Sequence, residues 1–247
     1  MLGLPGGITA CLFDLDGVLT STAVLHREAW KETFDAFLRE RAAQGGAPFA
    51  EFTDRDYAAY VDGRPRADGV RTFLASRHID LPEGAPDDGP EQDTVNGVGN
   101  RKNEVVHHII GTRGVQPYPG SVAYLNAVRD AGLDIAVVTS SANATMVLEA
   151  AGLTPYVQAL VDGTVIARDG LHGKPAPDSF LAGATALGVE PKSAAVYEDA
   201  LAGVQAGRDG GFGRVIGVNR ADQAGELLVH GADVVVDDLA DLLGETA

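Results

Sequence analysis

One rhythm constrains the fold more than any other feature of the chain. From about residue 118 onward, short continuous apolar runs at 134–139 (DIAVVT), 194–197 (AAVY), 214–218 (RVIGV) and 233–236 (DVVV) alternate with stretches of helical character at 142–151, 177–187, 200–209 and 222–230. An unbroken apolar run of this length is a strand buried on both faces, and parallel strands need crossover helices between them. The alternation predicts an α/β fold, a doubly wound parallel sheet. A further run of the same kind, 8–13 (ITACLF), ends at acids and Gly17 and stands apart from the others by about 120 residues.

The residues between read as helical. Trp30, Phe34, Phe37 and Leu38 recur at helical spacing, and Thr53 with Asp56 forms a capping-box pattern opening a helix that ends near Gly63. Further helices are expected over about 68–77 and 100–111, separated by the acidic, Pro- and Gly-rich segment 80–93, an exposed loop. The chain therefore divides into an α/β core, 1–24 with 116–247, and a helical domain, 25–115, inserted at the carboxyl ends of strands, where open α/β sheets place their ligands. The insert carries 12 basic against 16 acidic residues and the core 7 against 19. That difference suits a cover that receives an anion, and equally reflects compositional scatter.

Composition removes several classes of function. With 19 basic and 35 acidic residues the net charge is −16, which argues against a nucleic-acid surface. The single cysteine, Cys11, excludes a disulfide framework and a multi-thiolate zinc site and points to a reducing compartment. The start of the chain lacks a basic leader pattern and no run approaches the roughly 20 apolar residues of a membrane span. A cytoplasmic monomer with no membrane partner is expected.

Four clusters carry the chemistry. Asp14 and Asp16 close the first strand; one carboxylate can attack a phosphoryl group and a second, protonated, can donate to the leaving oxygen. The same pair also describes a solvated turn. Thr139, Ser140 and Ser141 precede a helix, where hydroxyls and amides face an anion or merely cap the helix. Lys174, in GKPAPD, reads as a solvent-facing loop lysine whose removal would leave stability unchanged. Glu198 and Asp199 end a strand as hard oxygen ligands for Mg²⁺, or as another acidic strand end.

In this order, the segments FDLDGVL, VVTSSAN, GKPAPD and YEDALAGVQAG resemble the haloacid dehalogenase superfamily. The resemblance implies a Rossmann-like core, an inserted α-helical cap and an aspartyl-phosphate mechanism. Asp14 would be the nucleophile. Asp16 would be the acid/base and lend Mg²⁺ its backbone carbonyl. Thr139, with Ser140, would hold the transferring phosphoryl group, Lys174 would neutralise it, and Glu198 with Asp199 would complete a metal site of Asp14, Asp16, Glu198 and Asp199.

FDLDGVLTSTAVLHREAWK is similar to the start of the β-phosphoglucomutase-like branch, with Thr22 and His26 at its characteristic Thr and His. The alternative for His26 is a helix-surface histidine beside Trp30. VDGRPRADG resembles the branch's cap substrate loop and places Arg66 on a substrate phosphate. The segment Asn100 to Asn103 places Lys102 facing the site, and Asn143 matches the asparagine after the Ser/Thr cluster. A helix-start arginine and a solvated helix face are the plain alternatives for Arg66 and Lys102. Ser21 replaces a usual Asp, Asp62 replaces a frequent Lys, and the 80–93 loop lengthens the cap. The implied reaction interconverts β-D-glucose 1-phosphate and glucose 6-phosphate through glucose 1,6-bisphosphate, with that bisphosphate also as primer. A sugar-phosphate phosphatase and a non-catalytic sugar-phosphate sensor are the competing readings.

Overall fold

The apolar runs become strands and the stretches between them helices. The computed structural model describes residues 2–244. In chain order the elements are β1 (Ala10–Phe13), α1 (Thr22–Ala43), α2 (Asp54–Tyr60), α3 (Arg66–Ser76), α4 (Val95–Arg113), α5 (Pro119–Asp130), β2 (Asp134–Val138), α6 (Ala144–Ala150), β3 (Ala159–Val161), α7 (Gly163–Asp169), α8 (Asp178–Leu187), β4 (Ala194–Glu198), α9 (Leu201–Asp209), β5 (Arg214–Val218), α10 (Ala224–His230) and β6 (Val234–Val236). The described residues form two compact units, one of residues up to Ser21 with those from Val115 onward and another of Thr22–Gly114.

In the first unit the strands form one parallel sheet in the order β3-β2-β1-β4-β5-β6. From the centre, the chain winds outward first through β2 and β3 and then through β4, β5 and β6. The strand order therefore reverses beside β1, and the crevice at its carboxyl end is the natural ligand position of such a sheet. Every residue of β1 is buried, as its uninterrupted apolar composition requires. Leu12, Ala136, Val138, Phe180, Val196 and Val204 lie in the core between the sheet and the helices on one face. Beyond β1 the outgoing and returning segments pair: Ser21 N donates to Gln116 O (3.0 Å) and Tyr118 N to Leu19 O (3.0 Å).

The second unit is all helix around an aromatic core. Trp30 stacks on Phe34, and Phe34, Phe52 and Phe73 pack with ring centroids 4.2–5.1 Å apart. The Thr53 capping box is present, with Asp56 N donating to Thr53 Oγ1 and Thr53 N to Asp56 Oδ2. The 80–93 segment has no helix or strand and is largely exposed. It is nevertheless tied to α4: Asn100 donates to Pro86 O and Asp88 O, and Arg101 to Pro90 O.

Four elements depart from the sequence reading, among them α5, which precedes the first helical stretch expected in the core. The strand β3 has only three residues and the adjoining α7 only seven, too short for a periodic signal. The helix α4 begins at Val95, five residues before the expected start, because Thr94 caps it, accepting from Gly97 N, despite two early glycines of low helix propensity.

Candidate active site

The parallel register builds the core constellation. Phe13 sits beside Val137 on one side and Tyr197 on the other, so the next residue along each strand brings Asp14 level with Val138 and Glu198 at the carboxyl edge of the sheet. Asp14 N donates to Tyr197 O (2.9 Å), which fixes the backbone of the would-be nucleophile to β4. Behind it, Phe13 stacks on Tyr197 with centroids 4.3 Å apart, and Tyr197 OH meets Tyr124 OH at 2.8 Å. The Cys11 thiol, near Tyr197 OH, is pushed up to about 12 by burial and is no nucleophile.

Lys174 comes from the loop between α7 and α8, and its side chain is completely buried. This corrects the expectation of a solvent-facing lysine. Its Nζ donates to Asp14 Oδ1 (2.6 Å), Glu198 Oε1 (2.5 Å) and Val138 O (3.1 Å). A buried ammonium survives only when paired and hydrogen-bonded, and here all three protons are used. Burial pulls the Lys174 ammonium down, but Asp14 and Glu198 outweigh it and hold it above its ordinary value. Burial pushes the Asp14 carboxyl well up; Lys174 opposes this, and the negative neighbours Glu198 and Asp16 add to the rise.

Asp14, Glu198 and Asp199 present carboxylate oxygens within 4.8 Å of one another, all buried. One lysine cannot balance three such groups, so the cluster favours a further positive charge. Hard oxygen donors in this number suit a small divalent cation. Asp16 is half-buried at the same turn.

Two glycines let these carboxylates approach. Gly17 has φ +94°, and a β-carbon there would fall 1.8 Å from Asp199 Oδ2. At Gly203, in the first turn of α9, a β-carbon would meet the Glu198 carboxylate at 1.9 Å. Glu198 Oε2 also accepts from Ala200 N (3.0 Å), so the acidic strand end turns back onto its own loop.

Thr139 is buried immediately after β2, with its N bonded to Val161 O and its Oγ1 accepting from Ser141 N (3.2 Å). Ser140 and Asn143 lie half-buried in the same turn before α6. Neither serine caps that helix: the cap position is Asn143, without a side-chain cap bond.

The helical unit places its own candidates. Thr22 opens α1 and is buried. His26 Nδ1 lies 2.6 Å from Lys102 Nζ, both side chains buried, with the ammonium 5.0 Å from the Trp30 ring centre. The solvated-face alternative for Lys102 and the surface alternative for His26 are thereby removed. Arg66 is the first residue of α3, half-buried beside Gly99 of α4, and burial lowers its affinity for the proton. Among the described residues no hydrogen bond or ion pair engages its guanidinium, whereas Arg71, Arg77, Arg101 and Arg113 all pair with acids.

Sequence reasoning missed Arg220 and Gln223, between β5 and α10. Arg220 Nε donates to Gly17 O (2.8 Å) and Gln223 Nε2 to Asp199 O (3.0 Å). NRADQ carries no periodic or compositional mark that separates it from any polar loop.

A parallel sheet whose central strand ends in Asp14 and Asp16, with a buried lysine and an acidic pair on the adjoining strand, defines a phosphotransferase-type core. A haloacid dehalogenase-like hydrolase family model matches residues 8–211. The chain is similar to Beta-phosphoglucomutase of Mycobacterium tuberculosis, 56% identical over 247 residues that cover 98% of this chain and 94% of the relative. It is also similar to Beta-phosphoglucomutase of Bacillus subtilis, 32% identical over 234 residues, 94% and 91% of the two chains. Among solved structures, CbbY from Rhodobacter sphaeroides in complex with phosphate matches with a TM-score of 0.70 at 26% identity, covering 95% of this chain and 96% of that one. The chain belongs to the haloacid dehalogenase-like family, in its β-phosphoglucomutase-like branch. It is an enzyme of the isomerase class.

Proposed function

We propose that the chain is a Mg²⁺-dependent β-phosphoglucomutase that interconverts β-D-glucose 1-phosphate and glucose 6-phosphate, acting as a cytoplasmic monomer. The observation that carries the chemistry is the buried contact of Lys174 with Asp14, beside Glu198 and Asp199. The observation that favours transfer to a sugar over transfer to water is Arg66, a half-buried guanidinium with no anion beside it among the described residues.

In this reading Asp14, phosphorylated on a carboxylate oxygen, passes its phosphoryl group to the 6-hydroxyl of β-D-glucose 1-phosphate, and Asp16 takes the hydroxyl proton. The resulting glucose 1,6-bisphosphate turns around, Asp14 attacks the phosphorus at C1, that P–O bond breaks, and Asp16 returns the proton to the departing oxygen. Glucose 6-phosphate leaves and the aspartyl phosphate is regenerated. Lys174 holds Asp14 Oδ1, which leaves Oδ2 to attack, and balances charge on the transferring group. Thr139, Ser140 and Asn143 supply hydrogen bonds to that group. Arg66 and Lys102 bind the phosphate that is not being transferred, and Thr22 and His26 position the substrate. Asp14, Glu198, Asp199 and the Asp16 carbonyl would hold Mg²⁺, which supplies charge neutralisation between two anions.

A coupled glucose 6-phosphate assay with each anomer of glucose 1-phosphate, a trace of bisphosphate primer and Mg²⁺ tests the proposal. Turnover of the β anomer alone, abolished by chelation, is the expected result. Stoichiometric release of inorganic phosphate without glucose 6-phosphate identifies a phosphatase instead.

A further inference from the structure

The β5–α10 loop reaches the two turns that carry the acidic cluster without itself contributing a carboxylate. Arg220 donates from Nε to Gly17 O (2.8 Å) and from Nη1 to Asp237 O (2.9 Å), and its guanidinium lies 3.8 Å above the centre of the Tyr118 ring. Its Nη2 is buried with no hydrogen-bond partner among the described residues. Gln223 donates from Nε2 to Asp199 O, and its own N is held by Asn219 Oδ1 (2.9 Å). Asn219 in turn donates to Asp237 Oδ1 (2.8 Å). One short loop thus grips the carbonyl of Gly17, which follows Asp16, and the carbonyl of Asp199.

These two residues approach so closely that a β-carbon on Gly17 would overlap the Asp199 carboxylate. A few tenths of an ångström of slack in either turn would change the spacing between the nucleophile turn and the acidic strand end. Neither turn has a regular helix or strand to resist such slack. The planar fork of arginine can hold Gly17 and Asp237 at once while stacked on Tyr118; a lysine, as a flexible point charge, cannot.

We infer that Arg220, seconded by Gln223, is a positioning residue that fixes the distance between the Asp14–Gly17 turn and Asp199, and so tunes the affinity of the carboxylate cluster for its cation and the rate of phosphoryl transfer. The inference rests on the phosphoryl-transfer reading given above. It touches no substrate group, so the effect on the rate exceeds any effect on substrate binding.

The experiment compares the wild-type protein with Arg220→Met, Arg220→Lys and Gln223→Leu. Mg²⁺ is titrated calorimetrically into each substrate-free protein, and kcat and KM are measured for hydrolysis of acetyl phosphate. Partners that orient a metal's ligands are worth roughly ten- to a hundredfold in affinity or activity. Arg220→Met should weaken Mg²⁺ binding about tenfold and lower kcat by a similar factor or more, with KM for acetyl phosphate within about twofold of wild type. Arg220→Lys should recover part of each loss, and Gln223→Leu should show the same pattern in milder form. Should Arg220→Met fail to fold, the other two variants decide. Mg²⁺ affinity and kcat at wild-type values in the folded variants, whatever their melting temperatures, would overturn the inference. A wild-type protein that binds Mg²⁺ but makes no glucose 6-phosphate defeats the mutase reading and leaves the calorimetric comparison intact.

Discussion

The two units solve the problem of buried charge in opposite ways. In the α/β unit, Lys174 spends all its protons on protein oxygens, and Asp14, Glu198 and Asp199 crowd around it until anions outnumber cations. In the helical unit the buried Asp35 is paired by Lys31 and Arg39, and the other charges in question are cations, Lys102 against His26 and Arg66 with no acid beside it among the described residues. The first arrangement is short of positive charge and organised before any ligand arrives. The second withholds a guanidinium from the protein's own carboxylates although that unit carries 16 of them. Preorganised electrostatics lowers the barrier of a reaction, whereas an unspent cation confers affinity for an anion. Under the proposed function, the difference puts rate in one unit and substrate choice in the other.

The sharpest way to break that assignment is Asp14→Asn, which keeps the size of the side chain and removes the attacking oxygen. Phosphoryl transfer should fall by about four orders of magnitude or more while the fold persists. Mass spectrometry that finds trapped phosphate on another side chain refutes it.

Next in size, Lys174→Ala should slow transfer and also destabilise, because it strands buried carboxylates. Removing one partner of a buried pair costs about 3–5 kcal/mol, and thermal unfolding in chelator reads the loss directly. An unchanged melting temperature would return Lys174 to the role of a mere surface residue.

Arg66→Ala sharpens the comparison from the other side. Loss of a charge-assisted bond of about 1.5–3 kcal/mol should lower mutase kcat/KM roughly ten- to a hundredfold. Cleavage of acetyl phosphate, which has no second phosphate, should be nearly unaffected. Equal losses in both activities would show that the division of labour is wrong.

The smallest effect is Thr53→Ala, which deletes the cap of α2 and should cost the helical unit about 1 kcal/mol. Acetyl phosphate turnover should stay at the wild-type value, and a drop in it would mean that the α/β unit depends on that helix.

All the strands but β3, and most helices, were legible because burial on both faces writes itself as continuous apolar runs, and Asp14, Glu198 and Asp199 because they stand where those runs end. The burial of Lys174 was not legible. GKPAPD has the composition of an exposed loop, and only the tertiary fold carries the ammonium between Asp14 and Glu198, 160 and 24 residues away. The His26–Lys102 contact spans 76 residues and leaves no periodic trace. The short β3 was missed because its three residues are too few to show alternation or a run. Arg220 was missed for a different reason: it acts through a backbone carbonyl, and a carbonyl has no sequence.

The central place of β1 has a consequence for the history of each molecule. Among the strands it leaves the ribosome first, yet both of its neighbours in the sheet, β2 and β4, lie far downstream, beyond the entire helical unit. Contacts so distant in sequence form slowly and late in folding. A nascent or partly unfolded chain thus holds Asp14 before Lys174, Glu198 and Asp199 have docked beside it, and under the proposed reading it stays inert towards phosphate esters until β4 is in place.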